Sequence, residues 1–270
     1  MPTLVIPPRV ARPAEPSTSA RPASASTAAR TAVPALELPS VAFFGRTLAE
    51  YARFFALEPL KLRGRAVLDV AAGPSSFTAE ACRLRVDSVA VDPLYGCKPE
   101  TLATHVELDY RRMQAQMRAN PGLFRTAAGD PASPVYFASL DEADRDRRTA
   151  AARFLDDYAA HFAHGRYFGA ALPHLPFFDR QFDLVLCAHL LFVYAARFDF
   201  VFHVAACREL VRVSRDEVRI HPVCGLDGRP YAGLTRLRRE LKEHGIVASV
   251  VPVNYEFFVG GDSMLVLKRA

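Results

Sequence analysis

Val67-Leu68-Asp69-Val70-Ala71-Ala72-Gly73-Pro74-Ser75-Ser76-Phe77, followed by Val89-Ala90-Val91-Asp92, is the stretch that decides the fold. An apolar run ends in a turn of small residues, and a second apolar run ends in a carboxylate. Between them Phe77, Ala81 and Leu84 share a helical face. The spacing predicts a strand over 66–70, a helix after Pro74 and a strand over 88–92, joined with a right-handed crossover. Small residues let a backbone approach a nucleoside, and an acid ending the second strand accepts hydrogen bonds from ribose hydroxyls.

Working outward, Phe44, Leu48, Tyr51 and Phe55 predict an amphipathic helix ending near Pro59. Further strands are expected at 167–171, 182–188, 217–222, 248–253 and 263–268, with helices near 198–213 and 230–244. Alternation of strand and helix implies a mostly parallel sheet. The link from Asn254 to Asp262, with Gly260-Gly261 as its turn, is too short for a parallel crossover and predicts a terminal antiparallel hairpin. The expected class is therefore α/β, a Rossmann-like doubly wound sheet with a C-terminal hairpin.

A longer connection than a crossover needs separates the second strand from the third. Over 97–164 it carries a helical stripe of Leu102, Val106, Tyr110, Met113 and Met117 that stops at Asn120-Pro121-Gly122. Ser139 and Glu142 make a capping box ahead of Leu155, Tyr158 and Phe162. This helical insertion is either an added layer on one sheet face or a lid over the acceptor, with Met113, Met117, Tyr158 and Phe162 sealing an apolar pocket.

Composition narrows the classes. The chain has 270 residues, 50% of them hydrophobic, enough for a substantial core over 41–270. Residues 1–40 hold eight of the twenty prolines, with Ala, Ser and few acids, and read as a disordered tail. No long apolar run suggests a membrane span or secretory signal, so a cytoplasmic protein with no membrane partner is expected. The five cysteines form no CxxC pair, which favours reduced thiols and no metal site. A net charge of +5, diffuse along the chain and without a basic stripe, argues against a nucleic-acid partner.

Several of these segments together resemble the class I S-adenosylmethionine-dependent methyltransferase family over 41–270. Asp69, Ala71, Gly73 and Ser75 stand on that family's acid and G-x-G-x-G rhythm, and Asp92 on its ribose-binding acid. Leu175-Pro176-Phe177, followed by Phe182-Asp183-Leu184-Val185, looks like its L-P-F and F-D-x-V stretch. Arg208 to Val213 looks like its E-L-x-R-V helix. The resemblance implies S-adenosyl-L-methionine as cofactor and methyl transfer to a small-molecule acceptor. A narrower likeness, to a bacterial branch described only as methyltransferase-like, rests on Gly73 to Phe77, Val91 to Tyr95, Glu217 to Pro222 and Tyr255 to Phe257. Ala171 stands where the family often places an acid for the adenine amino group.

Candidate catalytic residues are His189 after the fourth strand, His221 ending the fifth and Tyr255 entering the terminal turn. Each also has a packing explanation. Asp69 either belongs to the cofactor site or braces the turn by accepting backbone N–H bonds. Ser75 either caps the following helix or donates toward the methionine carboxylate. Two other functions remain open, a non-catalytic module that binds the cofactor and an NAD(P)-dependent oxidoreductase. Against the oxidoreductase stand the missing G-x-G-x-x-G and the terminal hairpin.

Overall fold

A computed structural model describes residues 35–38, 40–127 and 135–270. Its elements are α1 (Leu48–Phe54), β1 (Ala66–Val70), α2 (Phe77–Arg83), β2 (Asp87–Asp92), α3 (Pro99–Ala119), α4 (Leu140–His161), β3 (Tyr167–Gly169), β4 (Phe182–Ala188), α5 (Phe200–Val213), β5 (Ser214–His221), α6 (Leu234–Glu243), β6 (Ile246–Pro252) and β7 (Ser263–Arg269). They build a seven-stranded sheet in the order β3-β2-β1-β4-β5-β7-β6. β1 to β5 run parallel, while β7 is antiparallel to both neighbours. The expected α/β class, terminal hairpin and insertion are all present.

Strand alternation places the core on both sides of the sheet. Leu68, Val70, Val185 and Cys187 face one layer with α5 and α6. Val67, Leu184 and Leu186 face the other, with Tyr51 and Phe54 of α1 and Phe77 of α2. The third cluster joins α3 and α4 to the β2–β3 edge through Leu102, Tyr110, Phe154 and Tyr158.

Local chemistry sets the helix starts. Thr47 accepts the Glu50 N–H ahead of α1, Ser139 the Glu142 N–H ahead of α4, and Asp199 the Phe202 N–H ahead of α5. The capping box at α4 is displaced by one residue on its return side, because the Glu142 carboxylate accepts from Ala138 N–H at 2.6 Å. Phe44 precedes α1 rather than lying on it.

One boundary needs correction. Of the expected tail, residues 1–34 and 39 lie outside the described residues, but Leu36 and Leu38 are buried. They pack with Met113, Leu123 and Tyr194. In Leu36-Glu37-Leu38 two apolar side chains separated by one position give an extended segment a single buried face, which the surrounding prolines conceal in composition.

Candidate active site

A cavity of about 640 Å³ opens over the carboxyl ends of β1 to β4, bounded by Val70, Asp92, Ala171 and Ala188. Its volume suits a ligand of cofactor size. It lies where chain progression through the sheet reverses, between β1 and β4, the place where open α/β sheets bind ligands.

The cavity's polar anchor is Asp92. Its Oδ2 accepts from Gly73 N–H at 3.1 Å and its Oδ1 from Leu94 N–H at 3.0 Å. Gly73 has φ of +56°, a left-handed conformation that glycine takes without steric cost. Ala71 adopts the same φ, so the turn is strained at a residue with a Cβ. The Tyr95 hydroxyl donates to Gly73 O, closing a ring of contacts between turn and acid. Burial raises the Asp92 pKa to about 6 against the help of its two N–H donors. The carboxylate is ionised at neutral pH, and each oxygen has a further lone pair to offer a ligand hydroxyl.

Asp69 and Ser75 do not belong to the cavity wall. Asp69 shares the Val67 face of β1, is wholly buried, and accepts the Tyr51 hydroxyl at 3.2 Å. Among the described residues it accepts no backbone N–H, contrary to the bracing role, and burial pushes its carboxyl well above the ordinary range. Ser75 follows the capping reading. Its hydroxyl donates to Arg46 O at 2.9 Å and accepts from Phe77 N–H at 3.1 Å.

The three catalytic candidates separate. His189 lines the cavity with φ of +52°, its backbone N–H donating to His221 O at 2.6 Å. Its Nδ1 is buried without a partner, and burial, with Arg46 nearby, holds the ring well below the usual histidine pKa. His221 is withdrawn from the cavity. It pairs with Ala188 across the sheet, stacks 4.7 Å from Phe54 and donates from Nε2 to Gly261 O at 2.9 Å. Burial lowers its pKa to about 3, so it stays neutral. Tyr255 reaches the cavity, but its hydroxyl donates to the Glu50 carboxylate and burial pushes its pKa well above 10.0. Neither His221 nor Tyr255 is poised as a base.

The insertion contributes in part. Met113 and Met117 of α3 line the cavity. Tyr158 and Phe162 do not, because α4 turns that face toward the β2–β3 edge. The Tyr158 hydroxyl donates to Cys97 O at 2.8 Å, and Phe162 stacks on its ring from an exposed position.

Two features were missed by sequence reasoning. The first is a strap of residues 35–38 and 40–46 that lines the cavity. Phe43 N–H donates to Asp109 at 2.7 Å, Ala42 N–H to the Tyr194 hydroxyl at 2.9 Å, and Leu36 N–H to Leu226 O at 3.2 Å. Gly45 lies so close to the turn that a Cβ there would stand 2.0 Å from Pro74 O. The second is a buried cluster in the cavity wall, in which Glu50 accepts two hydrogen bonds from Arg147 and one from Tyr255. The contacts that make both features join partners far apart in sequence, and the strap's one local sign is the alternation in Leu36-Glu37-Leu38. No cluster of three or more metal-ligating side chains occurs among the described residues, and no helix there is long and apolar enough to cross a membrane.

The strand order, parallel from β1 to β5 with an antiparallel β7 between β5 and β6, defines a Rossmann-like α/β fold with a C-terminal hairpin. No family model matches the chain. It is 30% identical over 234 residues to the uncharacterised protein MJ0045 of Methanocaldococcus jannaschii, covering 87% of this chain and 99% of that one, and it belongs to the same family. Among solved structures it is similar to a magnesium protoporphyrin IX methyltransferase from Synechocystis with bound SAM, at 12% identity and TM-score 0.42, covering 77% of this chain and 72% of that one. A TehB-like SAM-dependent methyltransferase from Corynebacterium glutamicum is 13% identical at TM-score 0.42, covering 78% and 87%. At these scores the two likenesses carry no argument about chemistry.

Proposed function

We propose that the cavity binds S-adenosyl-L-methionine and serves methyl transfer to a small-molecule acceptor. The observation that carries this is the interlock of Asp92 with the Gly73 turn, which leaves a buried, ionised carboxylate facing a cavity over the sheet's switch point. Asp92 would hold the ribose hydroxyls, and the small side chains Ala71 and Ala171 leave room for the nucleoside. When bound, the sulfonium group supplies an electrophilic methyl.

The chain's own part is positioning. Met113, Phe198, Phe202, Phe257 and Phe258 line an apolar region that excludes water and suits an apolar or aromatic acceptor. Alignment of the acceptor lone pair provides most of the rate in such a transfer. A base matters only for an acceptor that arrives protonated. Among the three candidates only His189 offers an unpartnered ring nitrogen at the cavity.

The second reading is a non-catalytic module that binds the cofactor, favoured by the lowered basicity of His189 and the committed hydroxyl of Tyr255. An NAD(P)-dependent oxidoreductase is disfavoured by the turn, which has one glycine where a dinucleotide fingerprint has three. The narrower bacterial likeness supplies no acceptor. Calorimetry with S-adenosylmethionine, S-adenosylhomocysteine, NAD and NADP tests the cofactor. Incubation of the protein and a small-molecule extract with methyl-labelled S-adenosylmethionine then separates catalyst from binder. Binding of the adenosyl ligands with label appearing in an extract component is expected, and binding of NAD or NADP alone would overturn the proposal.

A further inference from the structure

The cavity wall contains three guanidinium groups, and two of them are neutralised. Arg147 is paired with Glu50, and Arg112 with Asp109 at 2.8 Å. Arg46 is different. Its Nη1 donates to Phe44 O at 3.1 Å, its Nε is buried with no partner, and among the described residues no carboxylate lies within ion-pair distance. The carboxylate that favours its charge is Glu50, which already serves Arg147 and Tyr255.

Arg46 is half-buried, with its Nε withdrawn from solvent, and the desolvation of a cation is normally offset by a partner. Here burial, then Arg147, lowers the Arg46 pKa, so the surroundings oppose the charge rather than support it. The backbone nevertheless fixes the residue in place. Arg46 O accepts from the Ser75 hydroxyl and from Ser76 N–H at 3.1 Å, which ties it to the Gly73 turn. Arg46 lines the same cavity as His189 and Tyr255. Guanidinium recognises oxyanions in bidentate geometry, so the missing partner is chemically defined.

Resting on the proposed cofactor, we propose that Arg46 is the oxyanion anchor of this cavity, taking a carboxylate or phosphate brought in by a ligand. That group is either the amino-acid carboxylate of the cofactor or an anionic substituent of the acceptor. The chemistry is shared, and the two sources can be told apart.

The test compares wild type, Arg46→Gln and Arg46→Lys by calorimetry with S-adenosylhomocysteine and with 5′-methylthioadenosine, which lacks the amino-acid carboxylate. Thermal melts in millimolar sodium phosphate at constant ionic strength are run in parallel. If the cofactor supplies the anion, Arg46→Gln weakens S-adenosylhomocysteine about tenfold or more, leaves methylthioadenosine unchanged, and Lys restores part of the loss. If the acceptor supplies it, both affinities are unchanged, but phosphate raises the melting temperature of the S-adenosylhomocysteine-loaded wild type and not of Arg46→Gln. Equal loss for both ligands, or unchanged affinities with an unchanged phosphate response, overturns the proposal. If neither nucleoside binds wild type, the cofactor reading fails. The phosphate response of the ligand-free protein, with Arg46→Lys as the charge-preserving control, then decides Arg46 by itself.

Discussion

The guanidinium of Arg147 on α4 and the carboxylate of Glu50 on α1, 97 positions apart, meet in a bidentate pair that is 1% and 0% exposed. This contact fastens the helical insertion to the segment that begins the domain. Phe44, Phe137 and Phe257 surround the guanidinium with ring centroids 5.3 to 5.8 Å away. The pair is thus largely withdrawn from solvent, and removing Arg147 leaves the buried Glu50 carboxylate with the Tyr255 hydroxyl in place of its cationic partner.

Arg147→Met is accordingly expected to destabilise the protein by about 3–5 kcal/mol. The double variant Glu50→Gln, Arg147→Met is expected to recover much of this, because no isolated charge remains. Urea denaturation of wild type, both single variants and the double variant measures the coupling. Additive losses would contradict it.

The strap supports a second expectation. Two truncations, one removing residues 1–34 and one removing 1–40, differ by Leu36 and Leu38, both buried. Burying a leucine side chain contributes about 1.5–3 kcal/mol, so the longer deletion is expected to be less stable by at least that amount. Thermal melts of the two truncations, compared with each other, check it.

The outline of the sheet was legible because its strands announce themselves locally. β1 and β4 occupy the expected 66–70 and 182–188, each an apolar run bounded by turn chemistry. Asp92 and Gly73, which line the cavity, were legible for the same reason, since turn conformation and strand-end position are written in neighbouring residues, whereas Ala171 entered only through the family resemblance. What stayed hidden depends on contacts between distant elements. Whether Tyr158 faces the cavity or the β2–β3 edge is decided by how α4 rolls on α3. Nothing near Arg46 in sequence says that its carbonyl, rather than its side chain, holds the Gly73 turn.

The pKa of Asp92 makes a third expectation with a definite sign. In the proposed complex ribose hydroxyls would donate to the ionised carboxylate, whose pKa burial raises to about 6. Nucleoside affinity is expected to be level above that pH and to fall as the pH drops through and below it, approaching tenfold per pH unit. The same shift, raised above the ordinary value of 3.8, means that ionised Asp92 costs stability at neutral pH, a cost relieved as pH falls from about 6 toward 4. Affinity measured from pH 5 to 8 for wild type and Asp92→Asn checks this, the variant showing a flat profile.

Ligand binding should also leave a mark on dynamics. The strap and the Met113–Met117 face of α3 border the cavity, whereas Tyr158 and Phe162 do not. Hydrogen exchange is expected to slow over 40–46 and the second half of α3 on binding, with little change over 155–162. Protection concentrated in 155–162 would place the ligand elsewhere.

The central claim is that the Asp92 carboxylate and the Gly73 turn together hold an adenosyl cofactor. A crystal structure of the protein with S-adenosylhomocysteine tests it most directly. The expected result places both ribose hydroxyls within hydrogen-bond distance of the Asp92 carboxylate, with the ligand backed by the Gly73 turn and its sulfur directed toward His189. A nucleoside bound away from Asp92, or outside the cavity over β1 to β4, would contradict it.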